Sequence, residues 1–251
     1  MATIDVIGGI FLDIYIVKND GFHNSEILQL PGGSALNVAI GLSQLGHNVR
    51  MFGNVGKDFV GEYLLEKLSF HSVNVEWIKM VDKNTATFIT LNEKPIAIDR
   101  RINDLDLFIP KNKSEYLFIT TETNERIINS DIFLNYKKIF FDIGPRPKLI
   151  DKRCENIFFI GNEKECENFL FTCDVVKMGE KGAKWGEKIV ALSGQKASYE
   201  IGMGDVFDTV LIDGILNNLE KEQILQNAVD ATQKISEYLG AYNKIINMKF
   251  K

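Results

Sequence analysis

The residues best suited to do chemistry form one short run, Ile201-Gly202-Met203-Gly204-Asp205-Val206-Phe207. Two glycines bracket one residue, an acid follows, and an amphipathic run then begins, with Val206, Phe207, Val210, Leu211, Gly214 and Ile215 at helical spacing. A glycine-rich loop feeding a helix leaves unpaired backbone N–H groups aimed at one spot, where the positive end of the macrodipole favours an anion such as phosphate. A carboxylate at Asp205, on the first helical turn, would stand beside that anion and could take a proton from an attacking hydroxyl. The same residues also make a tight turn followed by an acid that the helix dipole favours, so the motif alone leaves both readings open.

Such residues need a scaffold. At 251 residues the chain can bury a substantial core, and one α/β domain spanning 1–251 is the expectation. Hydrophobic residues at 45% and charged residues at 25% match an ordinary globular protein. A net charge of -5 offers no general basic field, which argues against nucleic acid and anionic membranes as partners. Cys154, Cys166 and Cys173 lack the close pairing of a zinc or redox motif and suit a reducing compartment as small buried hydrophobes. The apolar stretch from Val6 to Leu12 is flanked by Asp5 and Asp13 without a basic leader, and no apolar run approaches the roughly 20 residues of a membrane span. A soluble cytoplasmic protein is expected.

Along the chain, residues 3–12 read as one buried strand ending at Asp13. Its carboxylate would either reach the sheet edge where ligands of open α/β sheets bind or simply face water. Residues 14–30 and 84–101 read as short strands around polar turns, Asn19-Asp20-Gly21 being the clearest, and could pair as a small sheet covering a site. Pro31-Gly32-Gly33-Ser34 opens a helix that Ser34 can cap and Gly46 can stop; it is apolar nearly all round and therefore buried. Asn37 interrupts that surface, and a buried amide needs partners, either nearby backbone or the hydroxyls of a ligand.

Strands at 85–91, 116–120, 138–143, 157–160 and 174–178, the later ones separated by helix-sized gaps, predict a parallel sheet. Asn162 and Glu165 are three apart, which suits a capping box and also a pair of oxygen ligands for a hydrated magnesium ion. The run from Lys177 through Gly179 to Gly182 turns a strand into a glycine loop that brings backbone near a ligand. Helices at 205–217 and 221–239 close the chain, the second ended by Gly240.

Taken in order, Asp13, Gly32-Gly33 with Asn37, Gly56-x-Asp58-x-x-Gly61, Asn162-x-x-Glu165, Gly179-x-x-Gly182 and Gly202-x-Gly204-Asp205 make the chain resemble the ribokinase-like carbohydrate kinases, the PfkB family, over nearly its whole length. The resemblance implies a three-layer α/β/α fold with a mostly parallel central sheet and a small β-sheet lid, here formed by strands within about 14–30 and 84–101. It implies transfer of the γ-phosphoryl group of ATP to a hydroxyl of a small sugar or nucleoside, with Mg2+ and often K+ as cofactors. Homodimers that pair through the lid edge are frequent in the family. By resemblance Asp205 is the catalytic base, and Gly202, Met203 and Gly204 form the anion hole. Asp13, Gly32, Gly33 and Asn37 would hold the acceptor, Lys177, Gly179 and Gly182 the nucleotide, and Asn162 with Glu165 magnesium through water.

Some positions depart from the family pattern. Tyr199 and Glu200 stand where an Asp-Thr pair is usual, which calls into question the nucleotide-phosphate contacts and the monovalent-cation loop. Thr209 replaces a usual glycine, and Lys177 replaces a small hydroxyl residue. Two other readings share the scaffold. One is a nucleoside kinase, whose base would need an aromatic cleft from residues such as Phe11, Phe22, Phe88 or Phe108; the other is a non-catalytic sugar-binding descendant.

Overall fold

The structure, a computed structural model, describes residues 1–18, 22–110, 113–192 and 197–248. In chain order its elements are β1 (Thr3–Ile7), β2 (Phe11–Lys18), β3 (Ser25–Gly32), α1 (Ser34–Gln44), β4 (Asn48–Gly56), α2 (Phe59–Phe70), β5 (Ile78–Val81), β6 (Ala86–Leu91), β7 (Lys94–Asp99), β8 (Tyr116–Thr120), α3 (Glu125–Ile128), β9 (Lys138–Asp142), β10 (Ile157–Asn162), α4 (Glu163–Glu167), β11 (Val175–Lys177), β12 (Ala183–Trp185), β13 (Lys188–Val190), α5 (Met203–Leu216), α6 (Lys221–Lys234) and α7 (Ala241–Ile246). One sheet runs β13-β12-β11-β10-β9-β8-β1-β4-β5, parallel from β5 through β11 with β12 and β13 antiparallel at one edge. A second, four-stranded sheet runs β3-β2-β6-β7.

The main sheet is apolar on both faces, as a parallel sheet covered on two sides must be. Phe118, Phe140 and Phe158 pack with residues of α1, α2, α5 and α6. Their neighbours Ile119, Phe141 and Phe159 point the other way and pack with Ile128 and Phe133. This is an α/β fold with a mostly parallel central sheet and a small second sheet. The two excursions pair with each other as expected, because β2 runs parallel to β6. The turn expected at Asn19-Asp20-Gly21 lies outside the described residues. No helix of the described residues is long and apolar enough to cross a membrane.

Several boundaries differ from the sequence reading, each for a local reason. The strand expected at 3–12 breaks at Gly8-Gly9, where an added Cβ would lie 2.3 Å from Ala35 Cβ or 2.3 Å from the Phe11 ring, and the chain crosses to the second sheet. Asp13 therefore rides on β2, paired with Leu30 of β3, and not at the end of β1. The gaps flanking β9 hold only α3 and 3₁₀ turns such as Pro147–Leu149; Pro145 and Pro147 bar a longer helix there. The last expected helix stops at Lys234, and Gly240, at φ +82°, starts α7 instead of ending α6. A side chain at Gly240 would press on Leu30 and Tyr15 at 2.8 and 3.0 Å.

Phe159 is fully buried, with ring centroids 5.7 Å from Phe141, 4.8 Å from Phe169 and 6.0 Å from Phe171. Phe159→Ala leaves a cavity that the thin layer over this face fills poorly, so it is expected to lower the unfolding free energy by about 3–5 kcal/mol, read from urea denaturation.

Candidate active site

The starts of α1 and α5 meet. Gly202 precedes α5 in the left-handed conformation, φ +87°, and rests so closely on α7 that an added Cβ would lie 2.3 Å from Ala241 Cα. Only glycine satisfies both conditions. The Met203 N–H is taken by the Glu200 carbonyl at 3.2 Å, while those of Gly204 and Asp205 have no partner among the described residues. Of the Gly202-Met203-Gly204 set expected from sequence, only the Met203 N–H is engaged among the described residues; the amides open on the first turn of α5 are those of Gly204 and Asp205.

Asp205 lies on the first turn of α5 and is held by α1. Its Oδ1 accepts a hydrogen bond from Ser34 Oγ at 2.6 Å and its Oδ2 accepts one from Asn37 Nδ2 at 2.7 Å. Burial pushes the Asp205 carboxyl above its ordinary range, against the pull of these two donors. Ser34 is therefore not the helix cap expected from sequence. Gly33 takes the N-cap position at φ +94°, and the hydroxyl serves Asp205. Thr209 fits because Gly41 faces it: a Cβ at Gly41 would lie 2.7 Å from Thr209 Cγ2, and Thr209 Oγ1 donates to the Asp205 carbonyl at 2.7 Å.

Next to Asp205 stands a group of buried acids. Asp13 is 5% exposed and accepts a hydrogen bond from the Tyr15 hydroxyl at 3.2 Å; burial and the Glu122 charge raise it well above its ordinary value. Gly32 makes room for it, since a Cβ there would lie 2.0 Å from Asp13 Cγ. At Gly33 a Cβ would lie 2.4 Å from the Gly9 carbonyl oxygen. Glu122, two residues past β8, accepts from the Ser34 N–H at 3.1 Å, and burial pushes it up to about 7 although the Arg100 charge opposes the shift. Arg146 adjoins Arg100 and donates to the Thr121 and Thr123 carbonyls at 2.8 and 2.9 Å. Sequence reasoning passed over Glu122; the available signal was an acid at the carboxyl edge of a buried parallel strand, the argument applied to Asp13. Asn37 keeps one buried oxygen, Oδ1, without a partner.

A cavity of about 630 Å³ opens beside these groups and extends from Glu122 and Asp205 to Lys177, Glu165, Gly182 and Thr232. Lys177 Nζ lies 3.1 Å from Asp142 Oδ2 and 3.0 Å from Asp208 Oδ2, and a Cβ at Gly204 would lie 3.4 Å from it. Burial opposes the ammonium, but the two carboxylates outweigh it and push Lys177 above its ordinary value. Burial also raises Asp208 well above its usual range, whereas Asp142 stays below its own despite burial because Lys177 faces it. Asn162 and Glu165 form the capping box: Asn162 Oδ1 accepts from the Glu165 N–H at 2.9 Å and Glu165 Oε2 from the Asn162 N–H at 2.8 Å. Gly179 and Gly182, at φ +59° and +95°, complete this wall. Among the described residues no group of three or more His, Cys, Asp or Glu could hold a metal by direct ligation.

Comparison with known proteins bears on this arrangement. The model of the pfkB family carbohydrate kinases matches residues 1–123. A ribokinase of Lactococcus lactis is 25% identical over 278 aligned positions, covering 96% of this chain and 93% of that one. The crystal structure of a nucleoside kinase from Methanocaldococcus jannaschii, an archaeal member of the ribokinase family, superposes with a TM-score of 0.77 at 18% identity over 99% of this chain and 98% of that one. The likeness to that structure over nearly the whole of both chains shows a ribokinase-like fold, and the first 123 residues are similar to the PfkB carbohydrate kinases. The match to the PfkB model takes in Asp13, Gly33, Asn37 and Glu122, while Lys177 and Asp205 lie beyond it. An ATP-dependent 6-phosphofructokinase of Thermoanaerobacterium thermosaccharolyticum is 30% identical over 104 residues, 41% of this chain and only 32% of that enzyme's length.

Glu122 titrates at about 7 in the fold against an ordinary value of 4.5, so the folded state binds the extra proton. The stability tied to it is full below pH 4.5 and lost as pH rises through about 7. Glu122→Gln keeps the shape without the charge. It is expected to raise the unfolding free energy at pH 8 by on the order of 3 kcal/mol and to change little at pH 4, as urea midpoints at the two values will show.

Proposed function

We propose that this protein is an ATP-dependent kinase of a small sugar, with Asp205 as the base that readies the accepting hydroxyl. One observation carries the reading: a half-buried carboxylate with raised proton affinity, held by Ser34 and Asn37, lies beside two partnerless amides at the start of α5. A base and an anion site thus share one helical turn.

In this reading the acceptor lies against Asp13, Asn37 and Glu122, and its reacting hydroxyl donates to Asp205. ATP fills the cavity with its γ-phosphoryl group on the Gly204 and Asp205 amides, next to the Lys177 ammonium. Asp205 takes the hydroxyl proton and the acceptor oxygen bonds to the γ-phosphorus. The bond from that phosphorus to the bridging oxygen breaks and ADP leaves. Such a transfer asks for alignment and charge stabilisation more than covalent help. Asn162 and Glu165 fit a magnesium ion held through water, because the capping box leaves Glu165 Oε1 without a protein partner among the described residues. When bound, the ion would supply charge neutralisation on the nucleotide phosphates.

A sugar is favoured over a nucleoside by what surrounds Asp205. Phe11 and Phe88 are packed with Ala86 and Ile102, and Phe108 stacks on Trp77 with ring centroids 5.8 Å apart. Asp205 is bonded by a hydroxyl and an amide and acts electrostatically on the Asp13 and Glu122 carboxyls, polar groups that suit hydroxyls better than a base.

Asp205→Asn is expected to lower turnover by roughly 10²–10⁴-fold while thermal unfolding stays near that of the wild type. ADP release over a panel of ribose, fructose, ketodeoxygluconate, inositol, adenosine and cytidine identifies the acceptor. Calorimetry that finds a sugar bound but no ATP with magnesium would overturn the kinase reading in favour of a binding protein.

A further inference from the structure

The buried group that this mechanism leaves unused is Lys244. It lies on α7, is 0% exposed, and its Nζ donates to the Tyr238 carbonyl at 2.5 Å, its only hydrogen-bond partner among the described residues. The ammonium also stands 6.0 Å from the centroid of the Tyr199 ring. An ammonium has three N–H donors, and taking it out of water is unfavourable unless nearby negative charge compensates. Here the compensation comes from Glu93 and Asp205; burial pulls Lys244 down to about 8, which leaves it charged at neutral pH.

The surroundings of Lys244 are the supports of the anion site. The Tyr199 N–H donates to the Ser236 carbonyl at 3.1 Å, and the Glu200 N–H donates to Glu93 Oε2 at 2.6 Å. Glu93, at the turn between β6 and β7, keeps Oε1 buried and without a hydrogen-bond partner. The Glu200 carbonyl in turn takes the Met203 N–H, and Gly202 rests on Ala241, the first residue of α7. One positive charge therefore lies among a carbonyl, an aromatic ring and two carboxylates, under the loop that delivers the Gly204 and Asp205 amides.

The family resemblance implies a monovalent cation in association with this loop, and the residues present do not fit one. Tyr199 offers a ring and no carboxylate, and a lysine ammonium already bonds the neighbouring carbonyl. A second cation beside it would be repelled. We propose that Lys244 is a tethered cation, a positioning residue that fixes the Tyr199–Gly202 loop, and that the enzyme consequently has no use for potassium or another free monovalent ion. This rests on the kinase reading for its activity arm and stands apart from it for its binding arm.

The test compares wild type, Lys244→Ala and Lys244→Met in potassium, ammonium and tetramethylammonium chloride at equal ionic strength, reading both turnover and melting temperature. Wild type is expected to show the same turnover and melting temperature in potassium as in tetramethylammonium. Lys244→Ala is expected to lose about 10- to 100-fold in kcat, as small displacements near a reacting centre do. Potassium or ammonium should restore part of that turnover and raise its melting temperature, since they enter the space the side chain vacated. Lys244→Met fills the space without charge and should stay slow in every salt. Potassium stimulation or potassium-specific stabilisation of the wild type overturns the proposal. So does a Lys244→Ala protein that turns over at the wild-type rate, or that potassium and ammonium leave unchanged. If Lys244→Ala does not fold, the wild-type salt comparison decides. If no acceptor is phosphorylated at all, the kinase reading fails while the melting data still decide the role of Lys244.

Discussion

Two oxygens of one carboxylate tie α1 to α5, and the geometry of the site follows from that bridge. Ser34 and Asn37 can reach Asp205 only because both helices begin at the same height, and each start is set by glycines. At α1, Gly32 admits the Asp13 carboxylate and Gly33 passes over the Gly9 carbonyl; at α5, Gly202 lies on Ala241. Farther along, the missing side chain of Gly41 accommodates Thr209, which keeps the two helices in close contact there. The proposed anion site and base are consequences of how two helix ends pack. Neither requires a loop to be held in place by itself.

The same packing concentrates charge in a way that opposes folding. Burial raises Asp13, Glu122 and Asp205 alike, the Asp205 charge raises the other two further, and Glu122 adds to the shift of Asp13. Across the cavity the balance is different, because Asp142 and Asp208 have the Lys177 ammonium between them. A site whose acids on one side keep raised proton affinity while a lysine bonds two carboxylates on the other is asymmetric in what it will accept. Hydroxyls, which donate, suit the first side, and phosphates, which need a positive neighbour, suit the second. Destabilised groups gathered at a functional site while the core is well packed is the usual pattern for enzymes.

The fold was legible in sequence wherever short apolar runs stood between turn residues, which is why β8, β9 and β10 were placed to within two residues. The crossing at Gly8-Gly9 was not legible, because the apolar stretch around it carries no mark of which sheet it joins; Ala35, far along the chain, decides that. Ser34 read as a cap because local hydrogen bonds are all that a local pattern can show, and its actual partner lies 171 residues away. The capping box at Asn162 and Glu165 was readable for the opposite reason, since both halves of the interaction lie within one turn. Glu122 belongs to no spaced motif, and Lys244 sits on a short helix where a lysine reads as solvent-facing. Both acquire meaning only from tertiary neighbours.

The tight contacts at Gly32, Gly33 and Gly202 restrict how such a site can evolve. Each of the three positions admits no side chain without moving backbone or the Asp13 carboxylate. Descendants that come to prefer a different acceptor cannot reshape the cradle itself. They must work through its rim, where Arg100 and Arg146 adjoin Glu122, and there a single exchange of charge alters the chemistry presented to an incoming molecule while the reacting groups keep their places.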